Sequence, residues 1–407
     1  MLFRALSPSR TVQALRQPAF RWYLIERVVG GITWALRGVA RGWLVYSLTG
    51  SVVALASVEA VRAVVGIAVA PFSGVLNDRF EKRLVLLGAR LLLVGYNLVL
   101  ALLIWLNVLQ MWQIIVATIF EGIAFAAIDP ALQSIVPELV SPDLLLSATS
   151  LTFVVEGVFT IIGAFAAGLM IDAIGVGSVF FTNALLSCVA VYALARMPKG
   201  IVASHGSRSL RVDVAAGLSY LRTSSALMIL LALAFARMMF MQPYNAFLPA
   251  FARDNLGFDA AGLGSLTAVA GIGALAGALL IAARGDRRDK GRIVLGSGIG
   301  AAAAVVALMI TQTQGWPFLL VALAGGFAIA ADILTRTLMQ TLCEPSYRGR
   351  VAGLASVLTY LVSLWVIPAG VLAQHYSVPL VVGAVAALVL LAHLVAALLL
   401  PSLRRLD

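Results

Sequence analysis

Charge is what this chain has least of. Of its 407 residues only 12% are Asp, Glu, Lys or Arg, about half the ~25% of an ordinary soluble domain. Apolar residues make up 61%, so water cannot be the solvent for most of the surface. Cysteine and histidine are also scarce. Cys188 and Cys343 have neither metal-ligand nor redox spacing and read as small buried hydrophobes. His205, His375 and His393 fall in a loop, at the end of an apolar run and inside the last run, so they form no convergent catalytic set. A phosphate-binding Gly-Lys-Ser/Thr loop is missing, which excludes a pump driven by its own nucleotide hydrolysis. Neither an enzyme nor a metal or cofactor site is expected.

What the chain does have is apolar runs of membrane-crossing length. Twelve spans are expected near 21–47, 51–76, 83–106, 110–131, 144–171, 175–197, 226–251, 260–283, 292–312, 316–341, 350–373 and 378–400. Arg4, Arg10, Arg16 and Arg21 precede a first run too long for a signal-peptide core, so no cleavable signal is expected. If both termini lie on one side, twenty-one Lys and Arg fall on that side and only Arg253 on the other, with seven inside spans. Basic residues favour the cytoplasmic face, so both termini are placed there. The net charge of +11 is thereby explained without nucleic acid.

The turn after the second span, Gly74-Val-Leu-Asn-Asp-Arg-Phe-Glu-Lys-Arg83, has an echo. Adding 208 lays Asp78, Arg79 and Lys82 on Asp286, Arg287 and Lys290. The same offset aligns Leu55, Ser57, Ala60, Val61, Ala68 and Ala70 with identical residues, nine identities in 28 positions. The expected organisation is therefore an all-α polytopic membrane protein of two pseudo-symmetric six-helix bundles, 1–197 and 226–407. A cytoplasmic linker, 198–225, joins them. Leu210, Val214, Leu218 and Leu221 recur there at helical spacing, as in a short interfacial helix.

Twelve spans, a basic central loop and the Gly-x-Leu-x-Asp-Arg-x-x-Lys-Arg turn resemble the major facilitator superfamily. Within it the chain is similar to the drug-and-siderophore exporter branch, which holds macrolide efflux proteins and the enterobactin exporter. Leu15-Arg-Gln-Pro-Ala-Phe-Arg21, Trp43-Leu-Val-Tyr46-Ser-Leu-Thr-Gly50, Pro137-Glu-Leu-Val-Ser-Pro142 and Arg348-Gly-Arg350-Val351 carry that likeness. The chain departs from the superfamily pattern at Glu81, where Gly is usual, and at Thr118, where a basic residue is usual. The antiporter motif of the fifth span survives only as Gly163-Ala164-Phe-Ala-Ala167-Gly168. The resemblance implies a secondary transporter working by rocker-switch alternating access. In it, Gly74, Asp78, Arg79, Lys82, Arg83, Asp286 and Arg287 form a conformational gate, with Asp78 able to cap the span-eleven helix near Gly349. It also implies that the small-residue faces of spans five and eight meet.

Ionisable side chains inside hydrocarbon are costly and face a bundle interior or a wet cavity. Six acids (Glu26, Glu59, Glu121, Asp129, Glu156, Asp332) and seven arginines (Arg27, Arg37, Arg41, Arg62, Arg90, Arg237, Arg336) are so placed. By depth, Glu59 is level with Arg41 and close to Arg37. Asp332 and Arg336 have the acid-first i,i+4 spacing of an intrahelical pair. Glu121 and Glu156 have no basic residue within a turn, which suits proton loading and release. With Glu59 and Asp332 they are the proton-coupling candidates. Arg237 either meets an anionic solute or pairs with Glu121 or Glu156. Span seven continues through Met241, Gln242, Pro243, Tyr244 and Asn245, where the proline bends the helix. These residues, except the proline, join Arg37, Arg41, Arg237 and Arg336 as substrate-cavity candidates.

The expected function is proton-coupled efflux of a small amphiphilic or anionic solute across a bacterial inner membrane. The expected partners are a small-molecule substrate, protons and membrane lipids, and the expected state is a monomer. A lysophospholipid or other amphiphile translocator, or an importer of the same fold, is the alternative.

Overall fold

A computed structural model describes residues 8–198, 219, 224–285, 289–311, 313, 315–344, 347, 351, 358–359, 361–400 and 403, with only the backbone described for 8–10, 70–79 and 225. The described residues are almost all helical, with short turns between the helices. In order, the helices are α1 Pro8–Arg16, α2 Pro18–Thr49, α3 Val52–Arg79, α4 Lys82–Trp105, α5 Met111–Leu139, α6 Leu145–Ile174 and α7 Val176–Ala195. They continue as α8 Ser225–Asp254, α9 Ala260–Arg284, α10 Lys290–Ile310, α11 Trp316–Leu342, α12 Val366–His375 and α13 Val378–Leu399. Among the described residues, ten helices are long and apolar enough to cross a membrane, and Leu361–His375 forms a shorter apolar helix. α2 is long as well, but it carries Arg21, Glu26, Arg27, Arg37 and Arg41.

Local chemistry sets the ends. Pro18 starts α2, where a missing N–H costs nothing. Gly50 stops it in the left-handed conformation, its N–H donating to Tyr46 O at 2.8 Å. Gln110 and Gln113 form a reciprocal capping box at the start of α5. That helix outruns the expected 110–131, passing Pro130 and Pro137 to end at Leu139, since a proline removes one backbone bond without ending a helix packed on its neighbours.

Two compact units emerge. Unit 1 comprises residues 1–50, 64–207 and 258–268, and unit 2 comprises 51–63, 208–257 and 269–407. In unit 1, α2 packs along α6 and α7, and α4 along α5 and α7. In unit 2, α10 packs along α11 and α13, and α8 along α13. Large apolar side chains such as Leu91, Leu98, Leu102, Trp112, Phe165, Leu388 and Leu398 stand exposed. A surface so apolar has hydrocarbon as its natural solvent. Cys188 is on that exposed surface rather than buried, whereas Cys343 is buried as expected.

The small-residue stretches bring helices to backbone contact. A Cβ on Gly168 of α6 would lie 2.4 Å from Ala260 O, and one on Gly264 would lie 2.7 Å from Ala164 O, both inside unit 1. Asp172 adds polar contacts here, its carboxylate accepting from Ala260 N at 3.3 Å and Ala261 N at 2.7 Å. The first turn of α9 is thus capped by a side chain of α6. Within unit 2, Gly273 and Gly277 of α9 lie against α11, where a Cβ would come within 1.9 Å of Ala322 O and 2.3 Å of Gly326 O.

Candidate transport site

Unit 1 collects most of the buried charge. Arg37 and Arg41 lie one turn apart on α2 and converge on Glu121 of α5. Arg41 Nη1 donates to both carboxylate oxygens, at 2.8 and 2.7 Å. Arg37 Nε lies 3.0 Å from Oε1 and its guanidinium stacks 4.4 Å from the Phe125 ring centre. Arg37 and Glu121 are buried. A small pocket opens beside them, lined among others by Tyr96, Thr118, Ile114 and Phe180. Arg37 Nη1 and Tyr96 Oη are buried donors without a hydrogen bond among the described residues. Buried polar atoms ordinarily find partners, so this pocket has capacity for a water or a polar group of a bound molecule.

Glu121 is therefore not isolated, and neither is Glu156, which forms an ion pair with Arg27. Depth explains the correction. Neighbouring α2 carries arginines at several levels, and its packing beside α5 and α6 sets them opposite both acids; the residues within one turn along an acid's own helix do not include them. A third unit 1 pair joins Arg90 of α4 to Glu26 of α2, both almost fully buried, with Arg90 Nε donating to Glu26 Oε1 at 3.1 Å. Asp129, on α5 beyond Glu121, is exposed. The acid that sequence reasoning gave no role is thus the one outside these pairs. A count could not have found it, since five acids face five arginines in the first six spans; Asp129 is left over because Glu121 takes two of them.

In unit 2 the expected Asp332–Arg336 pair gives way to Asp332 with Arg237 of α8. Arg237 is buried, while Asp332 has a side chain 47% exposed and Arg336 is exposed. An interhelical partner whose guanidinium would otherwise be buried uncompensated outweighs the weaker pull of an i,i+4 neighbour that can reach solvent. It also removes Arg237 as a partner for Glu121 or Glu156. Glu59, counted with unit 2, pairs with Arg62 three residues on, Nε to Oε2 at 2.9 Å. Around Pro243, Tyr244 is buried, Met241 and Gln242 are half-buried and Asn245 is exposed. The Tyr244 hydroxyl has no partner among the described residues.

Of the expected gate, the side chains of Gly74, Asp78 and Arg79 lie outside the described residues, as do Asp286, Arg287, Gly349 and the linker stripe Leu210, Val214, Leu218 and Leu221. Two gate residues are described. Lys82 binds Glu138 Oε1 at 2.7 Å and Ser134 O at 3.3 Å. Arg83 donates to Leu194 O and Ala195 O. A cation on the last carbonyls of α7 suits that end of the helix dipole, so these two residues tie the start of α4 to the ends of α5 and α7.

Comparison with known proteins agrees with this picture. A family model described as "transmembrane secretion effector" matches residues 9–407. Macrolide efflux protein A of Streptococcus pyogenes is 22% identical over 381 residues, covering 91% of this chain and 88% of that protein. Its Enterococcus faecalis namesake is 23% identical over 294 residues, covering 70% and 90%. YfiS of Bacillus subtilis, an uncharacterized transporter of the major facilitator type, is 25% identical over 329 residues, covering 77% and 76%. Among solved structures, the nucleoside transporter NupG aligns with a TM-score of 0.77 at 12% identity, covering 92% of this chain and 99% of that one. A peptide transporter of the POT type aligns with a TM-score of 0.75 at 12% identity, covering 95% of each. The helices, the intramembrane charges and the match over nearly the whole length converge, and the chain belongs to the transmembrane secretion effector family of major facilitator transporters.

Proposed function

We propose that this transporter exports a small amphiphilic or anionic solute in exchange for protons, by alternating access of its two six-span halves. It does so in a bacterial cytoplasmic membrane with both termini inside. The observation that carries the coupling is the clamp of Arg37 and Arg41 on buried Glu121, beside the pocket with its unsatisfied donors. With Glu121 ionised, its carboxylate and the unfilled donors beside it can hold a polar group of the solute, and a proton on Glu121 removes that charge, loosens both guanidiniums and releases the solute. Loss of the proton restores the clamp and the solute site, so proton and solute exclude one another. One proton thus alternates α2 and α5 between a tight and a loose contact, a two-state element of the kind exchange transport requires. The half-exposed Asp332 on buried Arg237 offers a comparable pair in unit 2.

The efflux names of the relatives support the direction and suggest the probe. In proteoliposomes, a pH gradient should drive radiolabelled macrolide transport. Glu121→Gln should lower it by about tenfold or more, the scale of one lost charge interaction. Gradient-driven transport that survives both Glu121→Gln and Glu156→Gln would remove these acids from the coupling.

A further inference from the structure

We infer that Asp129 is a proton-carrying carboxylate of this transporter, set in a five-membered charge group with Glu26, Arg27, Arg90 and Glu156. The inference rests on the proton-exchange reading and adds a residue that reading does not use.

Four members of the group pair off, Arg90 with Glu26 and Arg27 with Glu156. Asp129 lies within electrostatic reach of all four and has no hydrogen bond or ion pair among the described residues. The group therefore holds three acids and two arginines. The charged groups facing Asp129 are Glu26 and Arg27 from α2, Arg90 from α4 and Glu156 from α6. Tyr23 of α2 lies beside Arg27, Glu26 and Glu156 but adds no charge as a phenol. With every acid ionised the group carries one negative charge inside a bundle where uncompensated charge is costly. One proton on Asp129 cancels it, and no existing pair has to break.

That separates Asp129 from Glu121. A proton reaching Glu121 must displace two guanidiniums from a buried carboxylate. Asp129 is exposed, and an ionisable side chain exposed within a span faces a wet cavity rather than hydrocarbon, so an Oδ can take a proton from water, forming its O–H bond, and return it to water later. The helix is also loosened at this place. Pro130 follows directly and lacks the N–H that would bond the carbonyl four residues back, at Ala126. Nearby, Glu26 Oε2 and Arg90 Nη1 are buried without hydrogen bonds among the described residues. The group's hydrogen-bonding capacity is therefore unfilled, as suits a site through which a proton passes.

Infrared titration of the purified full-length protein tests this with the proton as its own probe. On acidification across neutral pH the wild type should gain a protonated-carboxyl band. Asp129→Asn should lose that band and Glu156→Gln should keep it. Asp129→Glu should restore it at a displaced frequency, which a merely structural role for Asp129 does not predict. The same band in Asp129→Asn, or no frequency change in Asp129→Glu, overturns the inference. Macrolide transport separates the two readings. A band that depends on Asp129, in a protein whose efflux ignores the pH gradient, strikes the exchange mechanism and leaves the proton site standing.

Discussion

Glu26 and Arg90 show how much a buried charge depends on its partner. Each is almost entirely removed from solvent, so neither has water to fall back on. Arg90→Ala should destabilise the protein by about 3–5 kcal/mol, because Glu26 is left buried and alone. The double replacement Glu26→Leu with Arg90→Met should recover most of that loss. Thermal unfolding of the purified variants measures both, and equal losses in single and double variants would show that the pair contributes packing rather than charge compensation. At Glu121 the expected outcome differs: Glu121→Gln keeps the shape and an acceptor oxygen for Arg37 and Arg41, so it should destabilise less than Arg90→Ala while transport falls. The same residue type thus has separate roles at separate depths, distinguished by burial and by the number of arginines that reach it.

At the scale of helices, packing is governed by where side chains are absent. A Cβ on Gly273 would enter van der Waals space of the Ala322 carbonyl, whereas Gly296 of α10 has nothing within 4 Å. Gly273→Ala should therefore cost about 1–3 kcal/mol through forced separation of α9 and α11. Gly296→Ala should be neutral or slightly favourable, since alanine is the better helix former. Comparing the two in one unfolding assay isolates the contact from helix propensity, and equal effects would mean that α9 and α11 tolerate a wider spacing. The polar ends follow the same logic. Asp172 caps α9 from a neighbouring helix, and Arg83 caps α7 from the start of α4.

For the whole molecule, orientation is the property on which transport direction depends. Twenty-one of the basic residues fall on one side of the expected topology, so a fluorescent protein fused after Asp407 should fold and fluoresce in the cytoplasm, whereas a periplasmic reporter at that position should stay inactive. An active periplasmic reporter there would invert the topology and with it the assignment of export.

Helical class, span number and the positions of intramembrane charge were legible in the sequence, because each depends on the chain near it. A bilayer demands about twenty apolar residues per crossing, and an ionisable residue inside such a run is visible wherever it stands. Pairing was not legible. Glu121 and Glu156 look isolated along their own helices, and Asp332 looks served by Arg336. Only the packing of α2 against α5 and α6, and of α8 near α11, brings Arg37, Arg41, Arg27 and Arg237 to them. An ion pair between helices depends on azimuth and depth together, and a sequence gives depth but no azimuth relative to a neighbour. For the same reason Asp129 passed as one acid among six. Only after the other acids of unit 1 have taken their arginines does it stand out as the carboxylate left over.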